Sequence, residues 1–343
     1  MNKKSVIPML EDFFENYLPE TKGASSNTIR SYQFAFRLLF GYLEEVKGIQ
    51  PEKVTVDMMT STLIEEFLNH LERERGCSPQ TRNLRRAALR AFAAYAIKKK
   101  NISLSLSCYS EIQKIPKKKE PKNGAIKYFS QEEVKIILSC PKPTTITGQR
   151  DITLLSVLYA TGARAQELCD IKVKDITFSS PVRIKLTGKG NKSRVVTIPD
   201  SCARVLSGYM KSRGLLVKDP TNSYRYLFPS RRNDHMTISC VEGIVKKYLS
   251  ICRQEHPDLF KEEGYSPHTF RHSIAVHMLE AGDSLVTIKA FLGHASIVTT
   301  TIYAQVTPEL ANKYLDERGR AIDVSAEIKL PNSLAQALPF LYR

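Results

Sequence analysis

The sequence lacks the closely paired cysteines that mark most cysteine-based metal sites and disulfide frameworks. Its seven cysteines are scattered along 343 residues, and no two form a CxxC pair. They are Cys77, Cys108, Cys140, Cys169, Cys202, Cys240 and Cys252. An odd number of cysteines without metal-ligand spacing is typical of reduced, structural thiols. The sequence therefore predicts no zinc site.

Long apolar segments are also missing. No apolar run reaches the roughly 18 residues that a membrane-spanning helix needs. The amino terminus begins with a basic flank, but Glu11 and Asp12 interrupt it before the apolar stretch of a signal peptide develops. We therefore expect a cytoplasmic protein without a membrane partner.

Acidic residues are the scarcer of the two charge types. Lys and Arg number 51 against 35 Asp and Glu, which gives a net charge of +16. Such an excess favours a polyanionic partner, either nucleic acid or an anionic membrane surface. A basic soluble enzyme without such a partner remains an alternative interpretation of the charge. No long amphipathic basic segment supports the membrane. The length and the 42% of hydrophobic residues predict two domains with real cores.

Residues 1–104 are predicted to form a helical domain. After a cap at 26–28, apolar residues recur at helical spacing: Ile29, Tyr32, Phe36, Leu39, Phe40 and Leu43. A later helix after Pro79 has an apolar face that contains Leu84, Ala88, Phe92, Tyr95 and Ala96. Its opposite face contains Arg82, Arg85, Arg86 and Arg90. Because no carboxylates are interleaved with these arginines, we expect them to contact DNA phosphates rather than only water.

A basic linker is predicted over residues 105–127, where periodicity lapses. Pro116 and Pro121 flank a charge run that contains Lys117, Lys118 and Lys119, three further candidates for contact with the DNA backbone. A second domain is predicted over 128–320. The tail at 321–343 is weakly patterned but retains apolar residues, so it is a candidate for docking, including docking into a neighbouring subunit.

Two short strands are predicted in the second domain, over 182–186 and 193–198. They flank a glycine-bearing turn with Lys189 and Lys192 near its tip. This turn lacks the GxxxxGK[ST] spacing of a nucleotide-phosphate loop and lies between strands, which argues against ATP binding. A hairpin lysine that reaches a DNA phosphate or a leaving oxygen is the remaining functional interpretation.

Short segments of the second half contain reactive side chains at separate positions along the chain. They are, in order, Arg164, Lys189, His268, Arg271, His294 and Tyr303. Taken singly, each has a plainer explanation as an ion pair, a cap or a packing residue. His272 lies four residues after His268, so a metal pair has to be considered. The missing carboxylate, the absent HExxH order and the adjacent Arg271 argue against it.

Taken together and in this order, the six residues resemble the pattern of the tyrosine recombinase (phage-type integrase) superfamily. That family has an Arg in TG-x-R, a hairpin Lys, an H-x-x-R pair, a His in LGH and a Tyr nine residues beyond that His. Each element occurs here, in a style similar to bacterial Xer-type recombinases and tyrosine-type transposases. The resemblance covers essentially the whole chain, including an S-x-N-T-I-x-S-Y pattern at 25–32. Ala163 replaces a common Leu, which affects packing only.

The resemblance implies a mostly α fold with a small β-sheet or hairpin in the catalytic domain, and a two-domain architecture that clamps DNA. It implies site-specific strand cleavage and rejoining through a 3′-phosphotyrosyl intermediate, which gives recombination, integration or transposition. It further implies no metal and no cofactor. The implied partner is double-stranded DNA with specific recombination sites, bound by a homo-tetramer on two sites.

The residue types suit this reaction. Tyr303 is the expected nucleophile, and the guanidinium forks of Arg164 and Arg271 bind the phosphate oxygens. His268 fits a proton-accepting or relaying role, and His294 fits a hydrogen-bond donor to the phosphate. By resemblance, Lys189 is the general acid for the departing 5′ oxygen.

Two other functions share part of this pattern. A type IB topoisomerase uses the same tyrosine and cations but relaxes DNA as a monomer; the compact spacing and the helical first domain favour recombination. A non-catalytic DNA-binding regulator would be expected to have lost at least one polar element, and none is missing. The residues do not separate integrase, transposase, resolvase and inversion enzyme.

Overall fold

The computed structural model describes residues 5–99, 106–120, 126–216, 220–230 and 233–304. The chain divides into two compact units, Met1–Gly124 and Ala125–Arg343. The predicted mostly helical fold with one small sheet is confirmed. The predicted tail at 321–343 lies outside the described residues.

The first unit is helical. A first helix continues as a π-helical segment over Phe13–Thr21, and four longer helices follow. The helices are α1 (Ile7–Asp12), α2 (Ser26–Glu45), α3 (Ser61–Arg73), α4 (Pro79–Lys98) and α5 (Leu106–Lys114). The N-cap of helix α2 is Ser25, one residue before the predicted cap, because the Ser25 hydroxyl accepts the 3.3 Å hydrogen bond from the Thr28 amide. The core is rich in aromatic rings from the π-helical segment, α2, α3 and α4.

The predicted apolar face of helix α4 is buried at Ala88, Phe92, Tyr95 and Ala96, but the prediction fails near the start of the helix. Leu84, expected in the core, is 46% exposed, whereas Arg82, expected on the outer face, is 3% exposed. The Arg82 guanidinium is neutralised by Glu72 of α3, with Nε and Oε2 3.2 Å apart, and it donates to the Pro116 carbonyl. The carboxylate partner comes from another helix, so the local sequence gives no sign of it. The predicted solvent-facing position is therefore wrong for Arg82.

Part of the predicted linker is structured. Helix α5 occupies its first half, and Ile112 and Ile115 are buried in the core of the first unit. The Asn83 side chain then holds the following backbone, because its oxygen accepts from the Lys118 amide at 3.0 Å and its amide donates to the Lys118 carbonyl at 2.9 Å. A helix of nine residues is too short to show clear periodicity, which explains the difference.

The second unit is built around helix α7, whose second half is largely buried and in which Leu154, Leu155 and Leu158 are fully buried. Its helices are α6 (Gln131–Ser139), α7 (Ile146–Thr161), α8 (Ala165–Cys169), α9 (Asp200–Ser212), α10 (Ile238–Glu255), α11 (Pro267–Glu280), α12 (Leu285–Leu292) and α13 (Thr301–Ala304). The predicted cap of α6 is present as a capping box between Ser130 and Glu133. Among the described helices, none is long and apolar enough to cross a bilayer.

A three-stranded antiparallel sheet packs beside these helices. Its strands, in spatial order, are β1 (Ile176–Thr177), β2 (Arg183–Thr187) and β3 (Ser193–Thr197). Ile184 pairs with Val196, and both side chains are buried on the core face. The turn between β2 and β3 contains left-handed Gly190 and Asn191, with φ of 74° and 57°. The predicted hairpin is therefore confirmed to within one residue at each strand end.

Candidate active site

Arg164 lies where helix α7 ends and the chain turns into α8. Gly162 caps α7 with a left-handed φ of 56°, a conformation in which a side chain would be strained. The Arg164 side chain is 45% exposed, and its Nη1 lies 2.7 Å from Oε1 of Glu167. The guanidinium therefore keeps a solvent-accessible face while Glu167 fixes its direction.

Glu167 is a buried carboxylate that organises the cations of this region. Its Oε2 accepts a 2.9 Å hydrogen bond from Nη2 of Arg194 on strand β3. Burial alone would raise the pKa of Glu167, but the hydrogen bonds from Arg194 and Arg164 outweigh it and lower the pKa to about 2. Glu167 is thus ionised at neutral pH. Sequence reasoning misses Arg194, because one arginine in a short strand has no distinctive spacing.

Arg271, the second arginine of the predicted pair, is fully buried. Its Nη1 donates to the Gly162 carbonyl at 2.6 Å, and its Nη2 donates to the Leu292 carbonyl at 2.7 Å. Both carbonyls lie at helix C-termini, where backbone acceptors lack intrahelical partners. Burial and then the charges of Arg164 and Arg194 lower the pKa of Arg271 to about 10, so it is still a cation at neutral pH.

Tyr303 lies on helix α13 and is only 1% exposed. Its ring is nearly parallel to that of His294, with a centroid distance of 6.5 Å and an interplanar angle of 7°. His294 follows Gly293, the left-handed C-cap of α12, and its Nδ1 lies 2.9 Å from Oγ1 of Thr300. Burial raises the pKa of Tyr303 against the opposing effect of two nearby guanidinium charges. The phenol is therefore protonated at neutral pH.

His268 and His272 lie one turn apart on helix α11, with ring centroids 4.6 Å apart and planes at 86°. Nδ1 of His272 forms a 3.0 Å hydrogen bond with the Tyr303 hydroxyl. His268 is exposed, and partial desolvation followed by the charges of Arg271 and Arg164 lowers its pKa. Sequence reasoning considers His272 only as a metal ligand; its helical spacing from His268 was the available signal that it belongs to this site.

The hairpin between β2 and β3 contributes the predicted lysines. A Cβ at Gly188, at the base of the hairpin, would lie 2.9 Å from Oε1 of Glu167, so the turn begins directly against the Arg164–Glu167 pair. The backbone of Lys189 forms a 3-10 turn at the tip, but its side chain lies outside the described residues. Lys192 is exposed. The backbone geometry thus brings the hairpin to the arginine site.

The first unit contains the other residues predicted to bind DNA. Besides buried Arg82, three arginines of α4 donate within this unit: Arg85 to the Ser31 carbonyl at 3.2 Å, Arg86 to the Ile115 carbonyl at 2.6 Å and Arg90 to Gln113 Oε1 at 2.8 Å. The three linker lysines, Lys117, Lys118 and Lys119, are exposed. Two of them form ion pairs, Lys117 with Glu120 at 3.0 Å and Lys118 with Glu72 at 2.6 Å. Their contact with DNA stays a prediction.

Within the second unit, Tyr303 contacts a group of three histidines, and Glu167 joins Arg164 to Arg194. The charges of the three arginines affect the pKa values of these histidines and of the phenol, so the two groups lie in one region. Fixed guanidinium groups next to a hydroxyl nucleophile suit transfer of a phosphoryl group, because they neutralise the charge that develops on its oxygens. The fold and this cluster define a class of enzymes that act on phosphodiesters through a tyrosine.

Two family models match the chain. Residues 127–309 match the phage integrase family, and residues 11–100 match the phage integrase N-terminal SAM-like domain. The chain belongs to the phage integrase family, whose tyrosine recombinase members it resembles throughout.

Named relatives extend this result over both units. Tyrosine recombinase XerC of Myxococcus xanthus is 30% identical and covers 91% of this chain and 97% of its own length. Tyrosine recombinase XerD of Staphylococcus epidermidis is also 30% identical, over 89% of this chain and 96% of its own. A solved structure of the XerH site-specific recombinase bound to difH substrate, a pre-cleavage complex, shares the fold. Its TM-score is 0.64 at 21% identity, covering 88% of this chain and 83% of that chain.

Proposed function

We propose that the protein is a site-specific DNA recombinase that cuts and rejoins DNA through a covalent link between Tyr303 and a 3′ phosphate. The observation that carries this proposal is the contact of the Tyr303 ring with His272 and His294, in the same unit as the fixed arginines. Membership of the phage integrase family supports the same reaction.

The arginines supply the positive charge that the transition state needs. A guanidinium has five N–H donors, and Arg271 uses two of them on the Gly162 and Leu292 carbonyls. We propose that its remaining donors, which are buried in the absence of DNA, and the exposed face of Arg164 bind the non-bridging oxygens of a phosphodiester in the DNA complex. Removal of one such donor costs roughly a hundredfold in rate. Because side chains supply this charge, we propose a reaction without metal or cofactor.

The bond changes balance within the DNA and the tyrosine. The Tyr303 oxygen forms a bond to phosphorus and gives up its proton to His268, the bond from phosphorus to the 5′ oxygen breaks, and that 5′ oxygen takes a second proton. We assign delivery of the proton on the 5′ oxygen to Lys189. His268 acts as a proton relay beside the phosphate, and His294 donates a hydrogen bond to the phosphate. A 5′ hydroxyl from a second DNA then reverses the step, so that cutting becomes exchange without ATP.

Exchange requires two DNA sites held together, and we propose that a cytoplasmic homo-tetramer holds them. The apolar residues of the tail at 321–343 are candidates for docking into a neighbouring subunit. Truncation after Gly319 should prevent assembly on two sites and leave single-site binding largely intact. Unchanged tetramer assembly would contradict this role for the tail.

Covalent capture tests the reaction. The protein is incubated in EDTA with duplex fragments from the DNA that flanks its gene, denatured in SDS and digested with nuclease and trypsin. Trypsin releases residues 290–313, a peptide in which Tyr303 is the only tyrosine. We expect this peptide to carry a nucleotide. Tyr303→Phe should bind the fragments in a gel-shift assay but form no adduct.

Tyr159→Phe is the matched control. Tyr159 also hydrogen-bonds a histidine, with its hydroxyl 2.9 Å from Nδ1 of His277, and lies outside the proposed site. This variant should form adducts like the parent protein. Adducts formed by Tyr303→Phe, or adducts that appear only when a divalent metal is added, would refute the proposed mechanism. Relaxation of a supercoiled plasmid without specific sites would favour a topoisomerase instead.

A further inference from the structure

His272 lies outside the six-residue pattern, yet it holds the proposed nucleophile. Its Nδ1 lies 3.0 Å from the Tyr303 hydroxyl, and the two ring centroids are 5.6 Å apart. Tyr303 also packs in a buried apolar cluster with Ala275, Ile288 and Leu292, which shields its ring from solvent. In the part of the chain that the structure describes, this hydroxyl forms its hydrogen bond with His272.

The position of His272 is itself fixed. It follows Arg271, whose guanidinium is tied to the Gly162 and Leu292 carbonyls. Its ring also packs edge-to-face on that of His268, one turn earlier on α11. The imidazole is thus a rigid acceptor rather than a mobile one. A hydrogen bond to a rigid acceptor loses little conformational entropy, so it can hold the tyrosine ring in place.

Charge determines what His272 can do to the phenol. Burial, followed by the effects of His268, Arg271 and His294, lowers the pKa of His272 to about 4. The imidazole is therefore neutral at pH 7, and in the tautomer that has its proton on Nε2 it accepts the hydrogen bond of the protonated phenol at Nδ1. Because burial raises the pKa of Tyr303, proton transfer from the phenol to this weak base is strongly unfavourable. Such a bond retains the proton on the nucleophile and keeps the hydroxyl away from solvent.

We propose that His272 is a positioning residue that keeps Tyr303 in a buried resting position, from which the phenol must exchange its partner before it attacks DNA. This inference rests on the proposed function for its meaning in the reaction. The resting position itself is measurable without DNA. Loss of the hydrogen bond should raise the fraction of exposed Tyr303 by roughly two- to tenfold, the value expected for one neutral hydrogen bond.

Three substitutions at position 272 separate this hydrogen bond from packing. In His272→Asn the side-chain amide can occupy the place of Nδ1 and accept the phenol. In His272→Gln the amide reaches the place of Nε2 instead, and in His272→Leu no acceptor remains. Asn and Gln are both polar and neither titrates, so the difference between them reports the position of the acceptor. The Gln variant also provides a test if the Leu variant fails to fold.

Nitration of tyrosines by tetranitromethane, in the absence of DNA, gives the readout. Tryptic peptide 290–313 reports Tyr303, and peptide 151–164, which contains Tyr159 as its only tyrosine, reports a reference in the same digest. His272→Leu and His272→Gln should raise the initial nitration rate of Tyr303 by roughly two- to tenfold, with Tyr159 unchanged. His272→Asn should stay close to the parent.

His277→Leu is the matched control, because it removes the histidine partner of Tyr159 at 2.9 Å. It should raise nitration of Tyr159 and not of Tyr303. Equal Tyr303 nitration in the parent, Gln and Leu proteins would overturn the resting role of His272, whether or not the protein cleaves DNA. Conversely, an absence of covalent adducts from the parent protein would reject the recombinase function and leave the nitration result standing.

The rate of adduct formation distinguishes positioning from catalysis. On fragments that form adducts with the parent protein, His272→Gln should form them faster, again by roughly two- to tenfold, with an unchanged pH profile. A slower rate combined with raised nitration would show that His272 takes part in the chemical step. That outcome would overturn the assignment of His272 as a positioning residue only.

Discussion

Glu167 and Arg194 form an ion pair with a separation of 2.9 Å, and their side chains are 3% and 13% exposed. The pair joins helix α8 to strand β3, which follows the hairpin that contains Lys189 and Lys192. Since Glu167 also binds Arg164 through the side chain and the backbone amide, one carboxylate sets the positions of two arginines. The geometry of the hairpin and that of the predicted phosphate-binding arginine are therefore mechanically linked.

Arg194→Met should destabilise the second unit by about 1–3 kcal/mol. The substitution keeps the aliphatic length but removes one partner of a buried carboxylate, and Arg164 compensates only part of the loss. Urea unfolding, followed by circular dichroism, measures the change. Arg183→Met, at an exposed position of strand β2, is the matched control and should change the free energy of unfolding by less than about 0.5 kcal/mol. Equal losses in the two variants would contradict a structural role for the pair.

Gly162→Ala should cost clearly more stability than Gly214→Ala. Both glycines are left-handed, with φ of 56° and 64°, so both substitutions introduce about 1–2 kcal/mol of backbone strain. At Gly162 a Cβ would also lie 2.8 Å from Leu292 Cδ2, whereas at Gly214 nothing lies within 4 Å. Overpacking of this kind adds typically 1–3 kcal/mol.

The carbonyl of Gly162 accepts from Arg271, so a shift of this backbone should also lower the rate of adduct formation. Thermal unfolding of the two variants and single-turnover cleavage give the two readouts. Similar losses in both variants would mean that the contact with Leu292 can relax, and that strain alone sets the cost.

Several features of the site were predictable because the sequence pattern is local. Strand alternation and a glycine-bearing turn predict the β2–β3 hairpin, and the TG-x-R segment coincides with the C-cap of α7. Tyr303, His294, Arg271 and Arg164 come together in one unit, as the resemblance implies. What the pattern did not predict is the burial of Tyr303 and Arg271, which depends on the packing of helices distant in sequence.

The arginines of α4 show why the rest was not predictable. Their sequence contains no acidic neighbour, so a cationic surface was the natural expectation. The partner of Arg82 is Glu72 from another helix, and backbone carbonyls of separate segments accept from Arg85 and Arg86. Such partners depend on tertiary contacts, and no helical periodicity encodes them. The same holds for Arg194, whose carboxylate lies 27 residues earlier in the chain.

Lys192→Ala and Arg82→Met should separate DNA binding from stability. Lys192 is exposed beside the hairpin tip, so its loss should weaken binding to a nonspecific 30-base-pair duplex and reduce the slope of log affinity against log salt by about 1. Arg82→Met should instead lower the free energy of unfolding by about 1–3 kcal/mol, since its guanidinium is buried beside Glu72. Fluorescence anisotropy at several salt concentrations and urea unfolding measure the two effects. An unchanged salt slope for Lys192→Ala would remove it from the DNA-binding surface.

Acidification should destabilise the second unit through His272 and His294. Burial, followed by nearby histidine and arginine charges, lowers the pKa of each to about 4, below the ordinary value of 6.5. Between these values the unfolded chain binds more protons than the folded chain, so stability falls as the pH drops from 6.5 towards 4. Above about pH 6.5 both histidines are neutral in the folded and the unfolded chain, so they cause no loss of stability there.

His272→Asn should remove the share of this pH dependence that belongs to His272 while it retains an acceptor for Tyr303. From the two pKa values, one such histidine accounts for about 2 kcal/mol of the loss between pH 7 and pH 5. Urea unfolding at pH 5, 6 and 7 should therefore show a loss that is smaller by about this amount in the variant. Carboxylates and the other histidines titrate in both proteins, so their effects cancel in the comparison. Identical pH dependence in parent and variant would mean that His272 titrates normally in the folded protein, and that its imidazole is not enclosed beside Tyr303.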